Sequence, residues 1–391
     1  MAEWIVTNLE ECTDVLGDGL HGTPKYTENG EYAFVNGNNL VEGEILIKKE
    51  TKKVDYSQYE KYKKPLTDRT ILVSINGTLG NVGVYDSEKI ILGKSACYFN
   101  VKQSVDKDFI YYVVSSPVFR QYLENNATGT TIKNISLKQM REYTFSIPQI
   151  DEQKRISSVL RKIDEKIKNN KAINNNLEQQ AQAIFANEFL SLDTLPEGWK
   201  QASLIDIADY LNGLAMQKYR PTADESGIPV LKIKELRQGC CDNNSELCSP
   251  SIKSDYIIHD GDVIFSWSGS LLVDLWCGGI CGLNQHLFKV TSNKYDKWFY
   301  YAWTKHHLDR FVAVAADKAT TMGHIKRDEL AKAEVLIPNE ADYNRIGALL
   351  QPIYEMIISN RIENKKLAAT RDILLPKLMN GEIDMSEVDY E

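Results

Sequence analysis

The sequence contains no apolar run near the eighteen residues that a membrane-spanning helix needs. Its opening, MAEWIVTNLEECTD, has no basic stretch leading into an apolar core, so no signal peptide is read and a cytoplasmic location is expected. The seven cysteines are odd in number and show no framework spacing, so reduced thiols are expected. Five of them, Cys240, Cys241, Cys248, Cys277 and Cys281, gather in the second half without any C-x-x-C pair; buried or idle thiols are expected rather than a metal. Basic residues are outnumbered, 46 to 54, for a net charge of −8. That argues against a chain that grips nucleic acid unaided, because non-specific affinity comes from Lys and Arg neutralising phosphates. A reader with a local basic patch, or with partners that supply the phosphate contacts, remains compatible.

Catalytic signatures are missing too. There is no phosphate loop G-x-x-x-x-G-K-[ST], no G-x-G-x-x-G after a strand, no H-E-x-x-H and no G-x-S-x-G. The N/D-P-P-aromatic motif of base-flipping amino-methyltransferases is also lacking. The six histidines are scattered, and His306-His307 is expected on a helix surface.

What is present is a repeat. At an offset of 190, Phe109-Ile110-Tyr111 meets Phe299-Tyr300-Tyr301, Thr130-Thr131 meets Thr320-Thr321, and Ile135 meets Ile325. Ile147-Pro148 meets Ile337-Pro338, and Arg155-Ile156 meets Arg345-Ile346. Earlier in each half the offset drifts: Trp4 and Leu9 correspond to Trp199 and Leu204. The run RTILVSINGTLGNVGVY from Arg69 corresponds to GDVIFSWSGSLLVDLW from Gly261. A period this long means duplicated domains, since solenoid repeats are far shorter. A chain of 391 residues is also long enough for two cores. Residues 30–105 are rich in short β-branched and aromatic runs and read as strands. Residues 107–125 and 297–313 read as amphipathic helices, and FSIP and EVLIP as last strands stopped by proline.

After each proline the pattern becomes heptad. Ile156, Ile163, Asn170, Leu177 and Ile184 occupy a, with Leu160, Ile167, Asn174 and Ala181 at d. The second series has Ile346, Ile353, Asn360, Leu367 and Leu374 at a, and Leu350, Ile357, Asn364 and Arg371 at d. Each seam could pack on its own head. The near-identity of the two seams favours pairing with each other, and chain connectivity makes that pairing antiparallel. Position a then faces d, so Asn170 should meet Asn364 and Asn174 should meet Asn360. Such a buried layer costs stability and fixes register. The expected fold is α+β: two mixed α/β heads separated by a long antiparallel two-helix coiled coil, related by a pseudo-two-fold axis.

Several strings sit where this architecture requires them. DGLHGTPKYTENGEYAFVNGNNL (Asp18–Leu40), GTTIKNISLKQMREYTFSIPQIDEQKRI (Gly129–Ile156), LPEGWK (Leu195–Lys200) and LLPKLMNGEI (Leu374–Ile383) together resemble the specificity subunit of type I restriction–modification systems, over the whole chain. The resemblance implies target-recognition domains at 1–149 and 193–338, spacer helices at 150–192 and 339–380, and an acidic tail at 381–391. It implies a non-catalytic subunit that reads a bipartite double-stranded DNA site, one half per domain, with the helix pair as ruler. Two methyltransferase subunits would dock on it and methylate adenine N6, and restriction/translocase subunits would join them. No cofactor is expected in this chain: S-adenosylmethionine, ATP and Mg belong to those partners. Alternatives are a helical scaffold with non-DNA ligand-binding heads, or an unrecognised endonuclease.

Base readout favours Asn or Gln for adenine, Arg or Lys for guanine, and Ser or Thr as adaptable donors. Candidates in the first domain are His21, Thr23, Lys25, Tyr26, Asn36, Asn38, Asn39, Ser74, Asn76, Thr78, Thr130, Thr131 and Lys133. In the second they are Gln217, Lys218, Tyr219, Arg220, Lys232, Lys234, Ser266, Trp267, Ser268, Ser270, Thr320, Thr321, His324 and Lys326. The SINGTLG turn and its counterpart recur in both halves and suit a shared structural corner. The loops near Lys25 and Lys218 differ and suit specificity.

Overall fold

The computed structural model describes residues 4–129, 132–317 and 327–385. The chain forms two compact units. One comprises Met1–Glu165 with Ala368–Glu391, the other Lys166–Leu367.

In the first unit, Ile5–Asn8 pairs antiparallel with Thr144–Ile147 and closes the head at its base. A four-stranded antiparallel sheet follows, in the order Thr13–Asp18, Ala96–Val101, Thr70–Ser74, Val82–Val84. Every residue of Thr70–Ser74 and Ala96–Val101 is buried, as expected of inner strands covered on both faces. A second sheet pairs Tyr32–Val35 in parallel with Ile90–Leu92, with Lys53–Val54 on its other edge.

The second unit repeats this plan, with its second sheet widened to four strands. Lys200–Ser203 pairs with Glu334–Ile337. The four-stranded sheet runs Asp209–Asn212, Leu287–Thr291, Val263–Ser266, Leu272–Leu275. Ile228–Leu231 again runs parallel to its partner, Cys281–Leu283.

Each single helix expected in the heads is two helices. Lys107–Ser115 ends where Ser116 takes an extended conformation, and Pro117 opens the next helix, Pro117–Asn126. Ser116 Oγ accepts from Phe119 N, so one residue ends the first helix and caps the second. In the other head the break falls at His307, between Lys297–His306 and Leu308–Asp317. His307 is buried, contrary to the surface position expected for it; His306 beside it is exposed.

The long helices run Ile150–Phe185, 36 residues, and Glu340–Met379, 40 residues. A π-helical turn, Ala186–Leu190, extends the first and sets Phe189 in a core. Within the second unit the helices are antiparallel. Asn170 Nδ2 donates to Asn364 Oδ1 at 2.9 Å, and Asn360 Nδ2 donates to Asn174 Oδ1 at 2.9 Å. Asn174 Nδ2 also reaches Ile357 O at 3.2 Å, and Asn364 Nδ2 reaches Ile167 O at 3.4 Å. Under the 190-residue offset these four bonds exchange in pairs, so the bonding pattern is two-fold. A net amide hydrogen bond contributes about 1 kcal/mol. A buried leucine at the same position would contribute roughly 2 kcal/mol or more. The layer therefore specifies register at some expense of stability.

Toward their ends the seams do something else. Ile156, Leu160, Leu375 and Leu378 join the first head's core with Phe109, Val113 and Phe119. Ala181, Phe185, Ile346 and Leu350 join the second head's core with Trp298, Phe299 and Trp303. The helices thus contribute to both cores. Each is divided between two cores, at 165/166 and 367/368. Arg371, a cation in a seam position, is held by Asp164 at 2.7 Å.

His307 supplies a pH-dependent contribution. Its ring nitrogen Nε2 lies 2.8 Å from Glu334 O, and burial pushes the imidazole down to about 4 from its ordinary 6.5. Between those values the unfolded chain binds more protons than the folded one. Stability from neutral His307 is therefore complete above pH 6.5 and is lost as pH falls toward 4, by roughly 3 kcal/mol. Denaturant midpoints compared at neutral and acidic pH should show this loss, and His307→Gln should flatten that part of the profile.

Candidate nucleic-acid interface

In each head a glycine brings a loop against the parallel strand pair. A Cβ at Gly19 would lie 2.3 Å from the Leu92 backbone, and one at Gly213 would lie 2.2 Å from Asn284 O. Only glycine allows that approach. Next to it, Leu20 N donates to Leu92 O while Lys94 N returns to Leu20 O. In the second head Leu214 N donates to Leu283 O and Gln285 N returns to Leu214 O. These matched bonds make Lys94 and Gln285 equivalent positions.

Around this point the first head has a groove of about 530 Å³, lined by Asp18, His21, Ile75, Asn76, Lys94 and residues 134–137. Asn76 Nδ2 donates to Asn134 Oδ1 at 3.0 Å, and Gly77 N donates to Lys133 O at 3.0 Å, which latches residues 133–135 onto the 75–77 turn. The His21 ring is paired with the Asp18 carboxylate. His21 and Asn76 were expected here from sequence; Lys94, Asn134 and Ser136 were not.

The equivalent place in the second head carries different chemistry. Trp267 Nε1 donates to Asn212 Oδ1 at 3.0 Å, and its ring stacks on Phe288 at 5.5 Å. His286 lies beside it, with Gln285 Nε2 3.4 Å from His286 Nε2. His286 Nδ1 is buried with no hydrogen-bond partner. Of this group, only Trp267 was singled out from sequence.

Other expected readers hold the framework. Ser74 Oγ donates to Thr78 O at 2.6 Å and accepts from Asn81 N at 2.9 Å; Ser266 Oγ donates to Ser270 O at 2.8 Å. Both serines are fully buried, so neither can meet a base edge, and both make the same corner. Ser268 is buried as well. Asn39 is buried and spans Asn36 N and Leu46 O, and Asn36 Oδ1 accepts from Ser95 Oγ. Ser74, Ser266 and Asn39 are thus turn-holders rather than readers, because their polar atoms are consumed by the backbone they shape. Lys232 and Arg220 share Glu246, at 2.6 and 3.6 Å, and Lys234 pairs with Asp242 at 3.1 Å. Thr23, Lys25, Tyr26, Asn38, Thr78, Lys133, Gln217, Lys218, Tyr219 and Ser270 are exposed. Thr130, Thr131, Thr320, Thr321, His324 and Lys326 lie outside the described residues.

The surface therefore offers amide, imidazole, indole and ammonium donors on a rigid frame, the groups that read base edges. Among the described residues no three or more His, Cys, Asp or Glu gather as a metal would require. The hydrogen bond with Cys241, together with burial, pushes the Cys281 thiol up.

The family described as type I restriction modification DNA specificity domain matches residues 1–179 and again 196–369. The chain belongs to this family. It is a non-catalytic specificity subunit of the type I restriction–modification class. The specificity subunit of the type I restriction enzyme MjaIX from Methanocaldococcus jannaschii is 24% identical over 416 residues, spanning 99% of this chain and 95% of that one. That of HindI from Haemophilus influenzae is 19% identical over 354 residues, spanning 71% and 77%. The crystal structure of the type I system S subunit from M. genitalium shares the fold, with a TM-score of 0.58, 17% identity and 96% of each chain covered. The family's two matched stretches in this specificity subunit each contain one head and most of one long helix. No helix among its described residues is long and apolar enough to cross a membrane.

Proposed function

We propose that each head reads one half of an asymmetric bipartite DNA site, while the helix pair sets the spacing between the halves. The observation that supports this is a shared frame with unlike contents. The same glycine approach and serine corner recur in both heads, yet Ile75, Asn76, Lys94 and Ser95 stand where the other has Trp267, Ser268, Gln285 and His286. Frames suit docking on phosphates, whereas differing side chains suit different bases. Two modification subunits dock on the helix pair and transfer methyl groups to adenine N6 from S-adenosylmethionine. Restriction subunits that use ATP and Mg join that assembly. With a net charge of −8, this chain leaves much of the phosphate contact to those partners.

The test is to express the cognate methyltransferase with and without this chain and sequence the methylated adenines. Bipartite sites methylated only when the chain is present are the expected result. Equal methylation of the same sites without it would reject the reading.

A further inference from the structure

The first head carries a surface that no base-reading role uses. Residues 46–64 hold seven lysines against Glu50, Asp55 and Glu60, a net +4 in a chain of net −8. Lys63 pairs with Glu60 at 2.8 Å. Lys48, Lys49, Lys52, Lys53, Lys61 and Lys64 have no carboxylate within 4.0 Å among the described residues. Aromatic rings lie between them. Lys52 Nζ sits 4.6 Å from the Tyr26 ring centroid, and Tyr59, 6.0 Å from Lys63 Nζ, stacks on Tyr32 at 4.1 Å. An ordinary solvated lysine face is usually interleaved with acidic partners, as in the second head, where Lys232 and Lys234 are both paired.

The comparison can be made over equivalent spans, from the end of the parallel strand to the first buried strand of the four-stranded sheet. Residues 36–69 carry +2, whereas residues 232–262 carry −2. The basic surface is also tied to the groove. Thr27 N donates to Lys53 O at 2.9 Å, and Lys25 N donates to Gln58 Oε1 at 3.1 Å. Thr27 is only six positions from His21 in the groove, so the two places lie within about 20 Å along the loop. At a rise of roughly 3.4 Å per step, that is about six base pairs.

We propose that residues 46–64 grip the phosphate backbone of duplex DNA beside the first half-site, and that the second head has no counterpart. This rests on the DNA-reading role above and makes the two heads unequal: one anchors and reads, the other reads.

The experiment uses the full chain assembled with its methyltransferase. Lys48, Lys49, Lys52 and Lys53 are changed together to Gln in one variant and to Arg in another. Binding to duplex DNA is followed over a salt series. Every phosphate that is no longer neutralised lowers the log–log salt slope by about 0.9, so the Gln variant should drop by up to roughly 3.6 in slope and bind on the order of 100-fold more weakly near 0.15 M salt. The Arg variant should keep the slope. The methylated sequence should stay the same in both, since phosphate contacts position without specifying. An unchanged slope in the Gln variant would overturn the proposal, and so would a changed target sequence. Binding of wild-type complex to phosphatidylserine vesicles, abolished in the Gln variant while the DNA slope is kept, would overturn it in favour of a membrane surface. If the wild type shows no sequence preference at all, the DNA-reading role fails separately, and the slope on arbitrary duplex still decides this proposal.

Discussion

Seven residues inserted into each long helix, after Ile167 and before Leu367, should abolish methylation of the native site and create a new one with the same halves further apart. A heptad keeps every a and d residue on the seam, so the Asn170–Asn364 and Asn174–Asn360 bonds survive. The insert adds about 10.5 Å of helix, close to three base-pair rises of roughly 3.4 Å. Both insertion points lie close to where the chain divides into its two compact units, and both cores stay intact. Three added pairs also turn the duplex by about 100°, which the helices do not follow, so the new site should be methylated more slowly. Sequencing the methylated adenines reads both outcomes. Retention of the native spacing would mean the helices are not the ruler. Inserting into one helix alone should instead misalign the asparagines and lower the melting temperature.

The second large effect belongs to the groove. Lys94→Ala and Asn134→Ala should each relax one position of the first half-site and leave the second half-site unchanged. A good side-chain pair to a base edge discriminates by about 1–3 kcal/mol, which is roughly 5- to 150-fold in preference. Asn134 also accepts from Asn76, so its removal loosens the latch. Asn134→Asp keeps an acceptor for Asn76 while removing the amide donors, and should relax the target without loosening the turn. Methylation-site profiles of the three variants provide the check. An unaltered profile in Lys94→Ala and Asn134→Asp would place the readers elsewhere in the head.

The sequence is most informative where its information is periodic. Heptad spacing alone identifies which asparagines meet, because a helix repeats its surface every few residues and two seams of equal length admit few alignments. The repeat likewise exposes the shared corner at Ser74 and Ser266. The groove is less legible because it is assembled from 18–21, 75–76, 94 and 134–137, segments brought together by strand pairings far apart in sequence. Lys94 follows a strongly apolar strand and gives no local signal. Burial misleads in the same way: Ser74 and Asn39 look like available donors until the sheet closes over them. The breaks at Ser116 and His307 interrupt runs whose apolar pattern continues, so the expected single helices become pairs.

The division of the long helices also sets an order of assembly on the ribosome. The second unit is one continuous stretch, residues 166–367, and has all of its core once that stretch has emerged. The first unit begins earlier but lacks Leu375, Leu378 and Met385, and Gly381, whose backbone lies against the Trp4 indole, until residues 375–385 have emerged as well. The head made first is therefore completed last. Until then it holds open an apolar seam around Ile156 and Leu160, which Leu375 and Leu378 of the returning helix close.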